Sequence, residues 1–395
     1  MNLRRMKPPT GKAAQLPLDL LGGISATVFL RDYWQKKPLL IRNAIKGFVG
    51  PLSKNEVFTL ARRDDAESRL VASVADEWQL THGPFSAKDF RFPQRALWTV
   101  LIQDVQHFSY EAYELLARFN FIPQARIDDL MVSYAVAGAG VGPHFDTYDV
   151  FLLQGSGRRR WQISQQRDLR LEPNLPLKIL AHFKPTEEFV LEPGDMLYLP
   201  PGVAHNGIAE TESLTWSVGF RAPSKQDLSV AFLDHLRDSM SLTGLYADPG
   251  IEPSQSCAEI DTAMQQRFSD LLNSVQAAAN DPAIIRKFVG CYLTEPKTHV
   301  VFDVPEEPIS AQQFERLMKK FGLELDLKTR MLYDDKHAYV NGEVAADIRG
   351  SRWLLREMAD RRMLSAAKCA ELKPGAVMKC LYRCYCEGAL TIARR

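Results

Sequence analysis

The sequence predicts a mainly β fold with added helices (α+β), built around a double-stranded β-helix of the cupin-like jelly-roll type. Two observations support this fold class. Up to about residue 225, short β-branched or aromatic runs alternate with Gly, Pro and Asp turns, which is typical of barrels and sandwiches. Within that part, His144 and Asp146 are followed, after a further strand-like run, by His205. Because double-stranded β-helices present metal ligands in this order, the two patterns indicate the same fold.

The chain divides into three predicted regions, residues 1–225, 226–300 and 301–395. The first region joins the β-helix to helical pieces that precede it, which are predicted at 29–36 and 97–119. The second region is predicted to be helical throughout, and the third to be a mixed α/β tail.

The helical region is recognised by its apolar spacing. Apolar residues recur every four positions at Leu228, Phe232, Leu236 and Met240, and a second amphipathic stretch runs from 264 to 275. Such stripes normally bury inside a bundle. A linker rich in Pro and Glu at 303–308 separates this region from the tail.

His144, Asp146 and His205 form the most informative motif. Residues two apart in a strand point to the same face, so His144 and Asp146 are expected side by side. The run 196–199 is predicted as a short buried strand between two turns, and it leads to His205. Two imidazoles and one carboxylate hold one face of a non-haem iron(II) ion and leave three positions open. A single histidine at a barrel rim is usually satisfied by hydrogen bonds, but the joint pattern favours the metal.

Arg159 is the second candidate for chemistry. Strand alternation groups it with Trp161 and Ile163, and turns Arg158 and Arg160 to the opposite face. The face with Trp161 and Ile163 is expected inside, and a buried guanidinium needs an anion that matches its planar fork. A dicarboxylate that chelates iron at one end and meets Arg159 at the other is 2-oxoglutarate. Arg158 and Arg160 are predicted to lie on a solvated face.

Composition agrees with a cytoplasmic enzyme. The chain has 395 residues, 46% of them hydrophobic and 25% charged, which is enough for a large core. The net charge of +1 argues against broad electrostatic binding of nucleic acid. No apolar run has the length of a membrane span, and the basic start lacks the apolar core of a signal peptide.

Four of the six cysteines crowd the C-terminal end, at Cys369, Cys380, Cys384 and Cys386. Zinc sites usually pair their cysteines at Cys-x2-Cys spacing, which none of these four has. Ordinary buried thiols are therefore expected, with Cys384 and Cys386 on a strand.

Most of the chain resembles the JmjC-type 2-oxoglutarate oxygenases, and among them the bacterial ribosomal oxygenases. The stretches that carry the resemblance lie at 34–39, 65–71, 82–85, 126–131, 140–144, 148–151, 157–161, 191–195 and 217–223, with a looser match at 339–343. The resemblance implies a hydroxylase that uses iron(II), 2-oxoglutarate and O2. Its substrate would be an arginine of a large-subunit ribosomal protein of the L-sixteen class. A homodimer formed through the helical region and a winged-helix-like C-terminal domain are implied as well.

The resemblance also suggests roles for further residues. Ser133 is expected to donate a hydrogen bond to the cosubstrate carboxylate, although a strand serine with a local backbone hydrogen bond would look the same. Thr215 is a second candidate, but the family often has an amide there, which leaves its role open. Tyr148, Asp149 and Ser217 are expected near the mouth of the site, facing the substrate, unless Asp149 caps a turn.

Other functions remain open at this point. Relatives in the same broad family hydroxylate histidine in ribosomal proteins, and more distant ones remove methyl groups from lysine. A metal-binding cupin such as an isomerase would have no need of Arg159 at this spacing. A ribosome-associated protein with a dormant iron site would be expected to have a degenerate triad, whereas this triad is complete.

Overall fold

The computed structural model describes residues 15–74, 77–93, 96–241, 243, 245–252, 256–347 and 352–393. The strands are β1 (Leu39–Ile41), β2 (Ser68–Val74), β3 (Glu77–His82), β4 (Leu97–Ile102), β5 (Ile127–Ala135), β6 (Val150–Ser156), β7 (Arg159–Ser164), β8 (Glu187–Leu191), β9 (Met196–Leu199), β10 (Ala204–Ala209), β11 (Ser213–Phe220), β12 (Leu323–Leu325), β13 (Met331–Tyr333), β14 (His337–Val340), β15 (Glu343–Asp347), β16 (Met363–Leu364) and β17 (Leu390–Ile392). The helices are α1 (Ala26–Asp32), α2 (Lys54–Leu60), α3 (Tyr110–Ala117), α4 (Lys225–Ser239), α5 (Thr262–Ala279), α6 (Pro282–Thr294), α7 (Ala311–Phe321), α8 (Arg352–Arg361), α9 (Ala366–Ala370) and α10 (Ala376–Cys386).

Two antiparallel sheets form the predicted double-stranded β-helix. The larger has the order β1-β9-β6-β11-β5-β4-β2-β3, and the smaller has the order β10-β7-β8. An apolar core lies between them, because Leu152 and Leu197 of the large sheet pack with Trp161, Ile163 and Leu191 of the small one. The interior faces of these strands therefore alternate with faces that point away from the β-helix.

A second and larger core covers the outer face of the eight-stranded sheet. Phe151 and Trp216 project there from β6 and β11, helix α1 supplies Phe29, and the turn after α3 supplies Phe119. All four side chains are fully buried. Both strands are buried on both faces, so β6 opens with an unbroken apolar run, whereas β11 alternates large apolar residues with Ser, Thr and Gly. Helices on one side and the small sheet on the other hold these central strands in place.

The helical region has three helices, α4 to α6, and its apolar stripe is only partly used inside the chain. Leu236 is buried, and Phe232 contacts Phe288 of α6 with ring centroids 4.9 Å apart. Leu228 by contrast is 39% exposed. Helix α5 has no buried residue along its whole length. The prediction that the stripe buries in a bundle is therefore correct for its C-terminal half only.

The C-terminal region has its own apolar core, formed by α7 to α10 with two small three-stranded sheets. Among the described helices, none is both long and apolar enough to span a bilayer.

Two predictions of local secondary structure are wrong, one in the C-terminal region and one in the first region. Cys384 and Cys386 lie on helix α10, not on a strand, and the first part of the predicted helix at 97–119 is strand β4. In both segments the apolar run was too short for its period to be decisive.

The C-terminal thiols behave as expected. Cys369, Cys380 and Cys384 are buried and Cys386 is half-buried, all four as free cysteines. In the part of the chain that the structure describes, no cysteine joins a group of potential metal ligands.

Candidate active site

His144, Asp146 and His205 come together at one end of the β-helix. His144 and His205 pair as an isolated antiparallel bridge, with reciprocal backbone hydrogen bonds of 2.9 and 2.8 Å. Their ring centroids lie 4.2 Å apart, and the Nε2 atom of His205 is 3.7 Å from Oδ2 of Asp146. The potential ligand atoms of the three residues all lie within 4.8 Å of one another. One ion can therefore contact all three side chains.

The protonation of the two histidines suits metal binding. The Nδ1 atom of His144 is 2.9 Å from the carbonyl oxygen of Gly142, and Nδ1 of His205 is 3.0 Å from that of Val203. A carbonyl oxygen only accepts, so Nδ1 carries the proton in each ring and Nε2 has a free lone pair. Burial, followed by the neighbouring His144, lowers the pKa of His205 to about 4, which keeps the ring neutral. Two neutral imidazoles and a carboxylate fit a divalent iron ion.

Arg159 lies inside the β-helix beside this group. Its Nη1 atom donates to Ser133 Oγ at 3.1 Å and to Thr215 Oγ1 at 3.3 Å, and Nη2 donates to the carbonyl oxygen of Gly207 at 3.2 Å. The guanidinium lies 5.0 Å from the ring centroid of Trp161. The Nε atom is buried without a hydrogen-bond partner, and no carboxylate pairs with Arg159 among the described residues.

This environment favours an anionic ligand. Burial lowers the pKa of Arg159 to about 10, so that the group is still a cation at neutral pH. A buried charge that is hydrogen-bonded only to neutral groups is costly unless a counter-ion joins it. The residues around Arg159 therefore fit a small carboxylate that reaches it from the metal side.

The two neighbouring arginines point outward, as alternation predicts. Arg158 pairs with Glu210 at 3.0 Å and Arg160 lies 3.9 Å from Glu188, with side chains 53% and 39% exposed. Arg159 as a whole is only 3% exposed. The three arginines therefore have different environments although they are adjacent in the chain.

Ser133 and Thr215 lie opposite each other on β5 and β11 and both contact Arg159. Thr215 also donates to the side-chain oxygen of Gln154 at 3.1 Å, so a neighbouring strand supplies an amide beside it. Gly207 has no room for a side chain, because an added Cβ would lie 2.8 Å from Nε of Arg159 and 2.6 Å from the Trp161 ring. Gln154 and Gly207 were not among the residues predicted from the sequence.

The three predicted substrate residues are not in equivalent places. Tyr148 is 39% exposed, as expected at a mouth, and Ser217 is buried on the same interior face of β11 as Thr215. Asp149 contradicts the prediction, because it is fully buried and bonded to the outer core. Its carboxylate accepts hydrogen bonds from Tyr198 at 2.5 Å and from Gln35 at 3.1 Å. Tyr148 and Asp149 precede β6 and have different surroundings, since Tyr148 is half exposed and Asp149 is bonded within the outer core.

Asp129 is a buried acid near these residues that the sequence analysis did not single out. It lies on β5 four residues before Ser133, which alternation places on the same face. A Cβ added to Gly219 would lie 3.0 Å from Oδ1 of Asp129 and 3.8 Å from the ring of Tyr148. Burial raises the pKa of Asp129 well above its usual range, although Lys297 counteracts this. Its spacing from Ser133 was a usable signal, but adjacent Asp128 made the choice ambiguous.

A second group of potential metal ligands is Glu67, Asp104 and His299. The Nζ atom of Lys297 already lies 3.1 and 3.2 Å from the two carboxylate oxygens of Asp104. His299 bridges the two acids, at 3.1 Å from Asp104 and 3.2 Å from Glu67. Positive charge is thus supplied by the protein itself, and this group is an ion-pair network rather than a metal site.

Comparisons with known proteins give a consistent result. The JmjC domain family matches residues 114–228, and the ROXA-like winged helix family matches residues 276–391. The chain is 33% identical over 319 residues to the ribosomal protein uL16 3-hydroxylase of Escherichia coli strain K12, covering 80% of this chain and 84% of that protein. It is 41% identical over 279 residues to a probable ribosomal oxygenase of Haemophilus influenzae, covering 65% of this chain and 69% of that protein.

Solved structures resemble the whole chain. The X-ray structure of E. coli ycfD superposes with a TM-score of 0.81 at 30% identity, and covers 92% of this chain and 97% of that one. The structure of the E. coli ribosomal oxygenase YcfD in complex with cobalt and 2-oxoglutarate superposes with a TM-score of 0.78, also at 30% identity, with the same two coverages.

Proposed function

The chain belongs to the JmjC-domain ribosomal oxygenases, and from this premise we propose that it hydroxylates an arginine of a large-subunit ribosomal protein. Its reaction class follows from the family. It is a 2-oxoglutarate-dependent oxygenase that uses iron(II), 2-oxoglutarate and O2. When bound, iron and its cosubstrates supply the oxidation of an unactivated C–H bond. The protein contributes the ligands, the orientation of the reactants and the exclusion of water.

We propose that His144, Asp146 and His205 hold the iron, and that Arg159 binds the far carboxylate of 2-oxoglutarate. The observation that carries this proposal is a buried arginine, unpaired with any described carboxylate, beside a complete ligand set. Gly207, whose carbonyl oxygen accepts from Arg159, follows His205 by two residues on β10. The Trp161 ring contacts both the ring of His205 and the guanidinium of Arg159. These contacts support one dicarboxylate that reaches from the metal ligands to Arg159. Ser133 and Thr215 both accept from the guanidinium and orient it, and Ser133 adds a hydroxyl donor for that carboxylate, whereas the Thr215 hydroxyl donates to Gln154.

The choice of arginine is supported by a buried acid, Asp129, that lies near an aromatic ring, Tyr148. An arginine side chain needs a carboxylate for its guanidinium and an aromatic wall for its stem. Asp129 and Tyr148 meet at Gly219, where only a glycine leaves space between them. Ser217 lies two residues away on the same face of β11 and adds a hydroxyl group. We therefore propose Asp129, Tyr148 and Ser217 as the substrate subsite.

Arginine-bearing peptides of uL16 are expected to gain the mass of one oxygen when incubated with the protein, iron(II) and 2-oxoglutarate. Matched peptides with histidine or methylated lysine at the same position serve as controls, read by mass spectrometry. In Asp129→Asn, loss of a charged hydrogen bond worth roughly 1.5–3 kcal/mol should raise KM for the arginine peptide by about 10- to 100-fold. Affinity for 2-oxoglutarate should be unchanged. Preferred hydroxylation of the histidine peptide would contradict the substrate proposal and leave the oxygenase chemistry intact.

We further propose that residues 1–225 form the oxygenase domain, 226–300 a dimerisation region and 301–395 the winged-helix-like domain. The exposed apolar side chains of the middle region support a homodimer. Leu233 on α4 is 61% exposed, and Leu271 and Leu272 on α5 are 49% and 55% exposed. Helices with such faces usually meet another apolar surface, and a second copy of the chain presents an identical one.

The dimer proposal predicts that Leu271→Glu combined with Leu272→Glu converts the full chain to a monomer at micromolar concentration. A charge placed in an apolar interface must be desolvated, whereas in a monomer both residues stay in water. The matched control is Asn273→Glu on another face of the same helix, which should remain dimeric. Molar mass from light scattering gives the answer, and a monomeric intact chain would remove the proposal. Truncation at about residue 225 is expected to lose the dimer and most activity, but it also removes the contacts described below.

The proposed substrate also bears on location and partners. Because the proposed substrate is a ribosomal protein, we propose that the enzyme works in the cytoplasm and binds that protein directly. The balanced charge of the chain gives no reason to propose direct binding to nucleic acid.

A further inference from the structure

Three cationic side chains from the second half of the chain contact the oxygenase part close to the start of strand β5. Arg330 donates to the carbonyl oxygens of Ile127 at 2.7 Å and Asp128 at 3.4 Å. Lys297 and His299 lie in the segment that follows helix α6 and reach the loop after β4. The strand they surround is the one that carries Asp129.

Lys297 and Gly219 lie beside different oxygens of the Asp129 carboxylate. The Nζ atom of Lys297 is 4.0 Å from Oδ2 of Asp129, whereas the other oxygen, Oδ1, is the one beside Gly219. The same Nζ atom lies 3.5 Å from Oδ1 of Asp128 and 3.1 Å from Oδ2 of Asp104. The backbone N–H of Asp104 also points at Oδ2 of Asp129, at 3.5 Å. One carboxylate thus connects the proposed substrate subsite to an ion-pair network built from distant parts of the chain.

Lys297 is the main positive charge that lowers the pKa of Asp129. Burial raises the pKa of Asp129, and the carboxylates of Asp104 and Asp128 raise it further. Lys297 is the cation that opposes them, helped by the N–H of Asp104. Burial alone would lower the pKa of Lys297, but these three carboxylates outweigh it and raise the pKa. Lys297 therefore stays charged in the pH range where enzymes are assayed.

The other titratable side chains around Asp129 cannot replace Lys297 as its cation. His299 donates to Asp104, which raises the pKa of His299 and ties down the loop after β4. Asp128 also faces Arg221, whose Nε lies 3.4 Å away. Tyr148 lies near Asp129 at Gly219, and because its pKa is raised it carries no charge at neutral pH. Removing Lys297 would leave Asp129 with two negative neighbours and no nearby cation of comparable strength.

We propose that Lys297 is a positioning residue for substrate binding, which keeps the Asp129 carboxylate ionised and turned toward the guanidinium of the incoming arginine. The inference rests on the proposed role of Asp129 in the substrate subsite. It means that the arginine subsite is completed by a residue from outside the JmjC domain. A contact that merely tethered the C-terminal half to the oxygenase part would affect stability, but it would not change how substrate binding depends on pH.

The test compares Lys297→Met, Lys297→Arg and Lys328→Met in the full chain. Lys328 is the matched control, because it bonds to the carbonyl oxygen of Val301 and to Asp303 and has no contact with Asp129. For each protein, kcat/KM for an arginine-bearing uL16 peptide is measured from pH 6 to pH 9.5, together with affinity for 2-oxoglutarate. A protonated Asp129 cannot form the ion pair, so activity falls on the acid side. Without Lys297 the pKa of Asp129 rises, and the acid limb should move to higher pH.

For Lys297→Met, we expect kcat/KM at pH 7 to fall several-fold, up to about tenfold for each unit by which the pKa of Asp129 rises, with recovery toward pH 9.5. Lys297→Arg and Lys328→Met should keep the wild-type limb, and 2-oxoglutarate affinity should not change in any variant. If Lys297→Met fails to fold, Lys297→Gln provides the same comparison. A decrease of equal size at every pH would overturn the inference and leave only a tether. If Asp129→Asn itself has no effect on the peptide, the subsite proposal fails instead.

Discussion

Replacing His144 or Asp146 with alanine is expected to abolish iron-dependent turnover of 2-oxoglutarate while the fold persists. Each residue supplies one of three ligand atoms that lie within 4.8 Å of one another, and two remaining ligands hold the ion weakly. The side chains themselves are half-buried and contribute little to packing. Succinate formation measures the loss, and circular dichroism measures the fold.

Stability is compared with the metal removed from wild type and variants alike, because a bound ion would stabilise only the intact site. Substitutions away from a packed core usually change stability by about 0.5 kcal/mol or less, so the Tm should move by about 2 °C at most. Arg158→Ala, at an exposed side chain just before β7, is the control for a nearby change that leaves the ligands intact. Turnover that survives in both His144→Ala and Asp146→Ala would rule out the proposed iron site.

Arg159→Lys is expected to raise the requirement for 2-oxoglutarate by roughly 10- to 100-fold, the equivalent of losing one charged hydrogen bond. A lysine ammonium is a point charge and cannot reproduce a planar fork that contacts Ser133, Thr215 and Gly207 at once. The charge is retained, so a large effect would report geometry. The measurement is KM for 2-oxoglutarate at saturating peptide.

Arg158→Lys and Arg160→Lys are the matched controls for this effect, because both side chains are exposed and lie near glutamates, Glu210 and Glu188, instead of inside the β-helix. Surface ion pairs of this kind contribute little, typically below about 1 kcal/mol. Their KM for 2-oxoglutarate should stay within about twofold of wild type, which is about 0.4 kcal/mol. A stronger effect at Arg158 than at Arg159 would mean that the anion binds on the other face of the strand.

The choice of Arg159 over its two neighbours was predictable from the sequence, because it depends on a period of two, which is a property of any extended chain. His144 and Asp146 also lie close together as expected, but not on a regular strand, since His144 forms only an isolated bridge and Asp146 lies outside the strands. The short strand β9 was also placed correctly, because glycine and proline turns bound it on both sides. Local geometry was sufficient in each of these cases.

Residues whose role depends on the third dimension were not predictable. Asp149 follows Tyr148 directly and looks equally suited to a mouth, yet it belongs to the outer core beside Tyr198. Asp128 and Asp129 are adjacent acids, and alternation alone groups Asp129 with Ser133. The neighbours of Asp129, Gly219 and Lys297, come from distant segments and could not be predicted from β5.

The sequence by itself determined the fold class, the buried position of Arg159 and the candidate ligand set, since each follows from residue types and from patterns within one segment. Only the tertiary structure decided that Asp129 lies between Gly219 and the cation Lys297. Asp129 and Lys297 are separated by more than a hundred positions in the chain, and the local pattern of neither segment predicts a contact with the other. Electrostatic coupling depends on distance and burial in space, and these are set only when separate segments pack together.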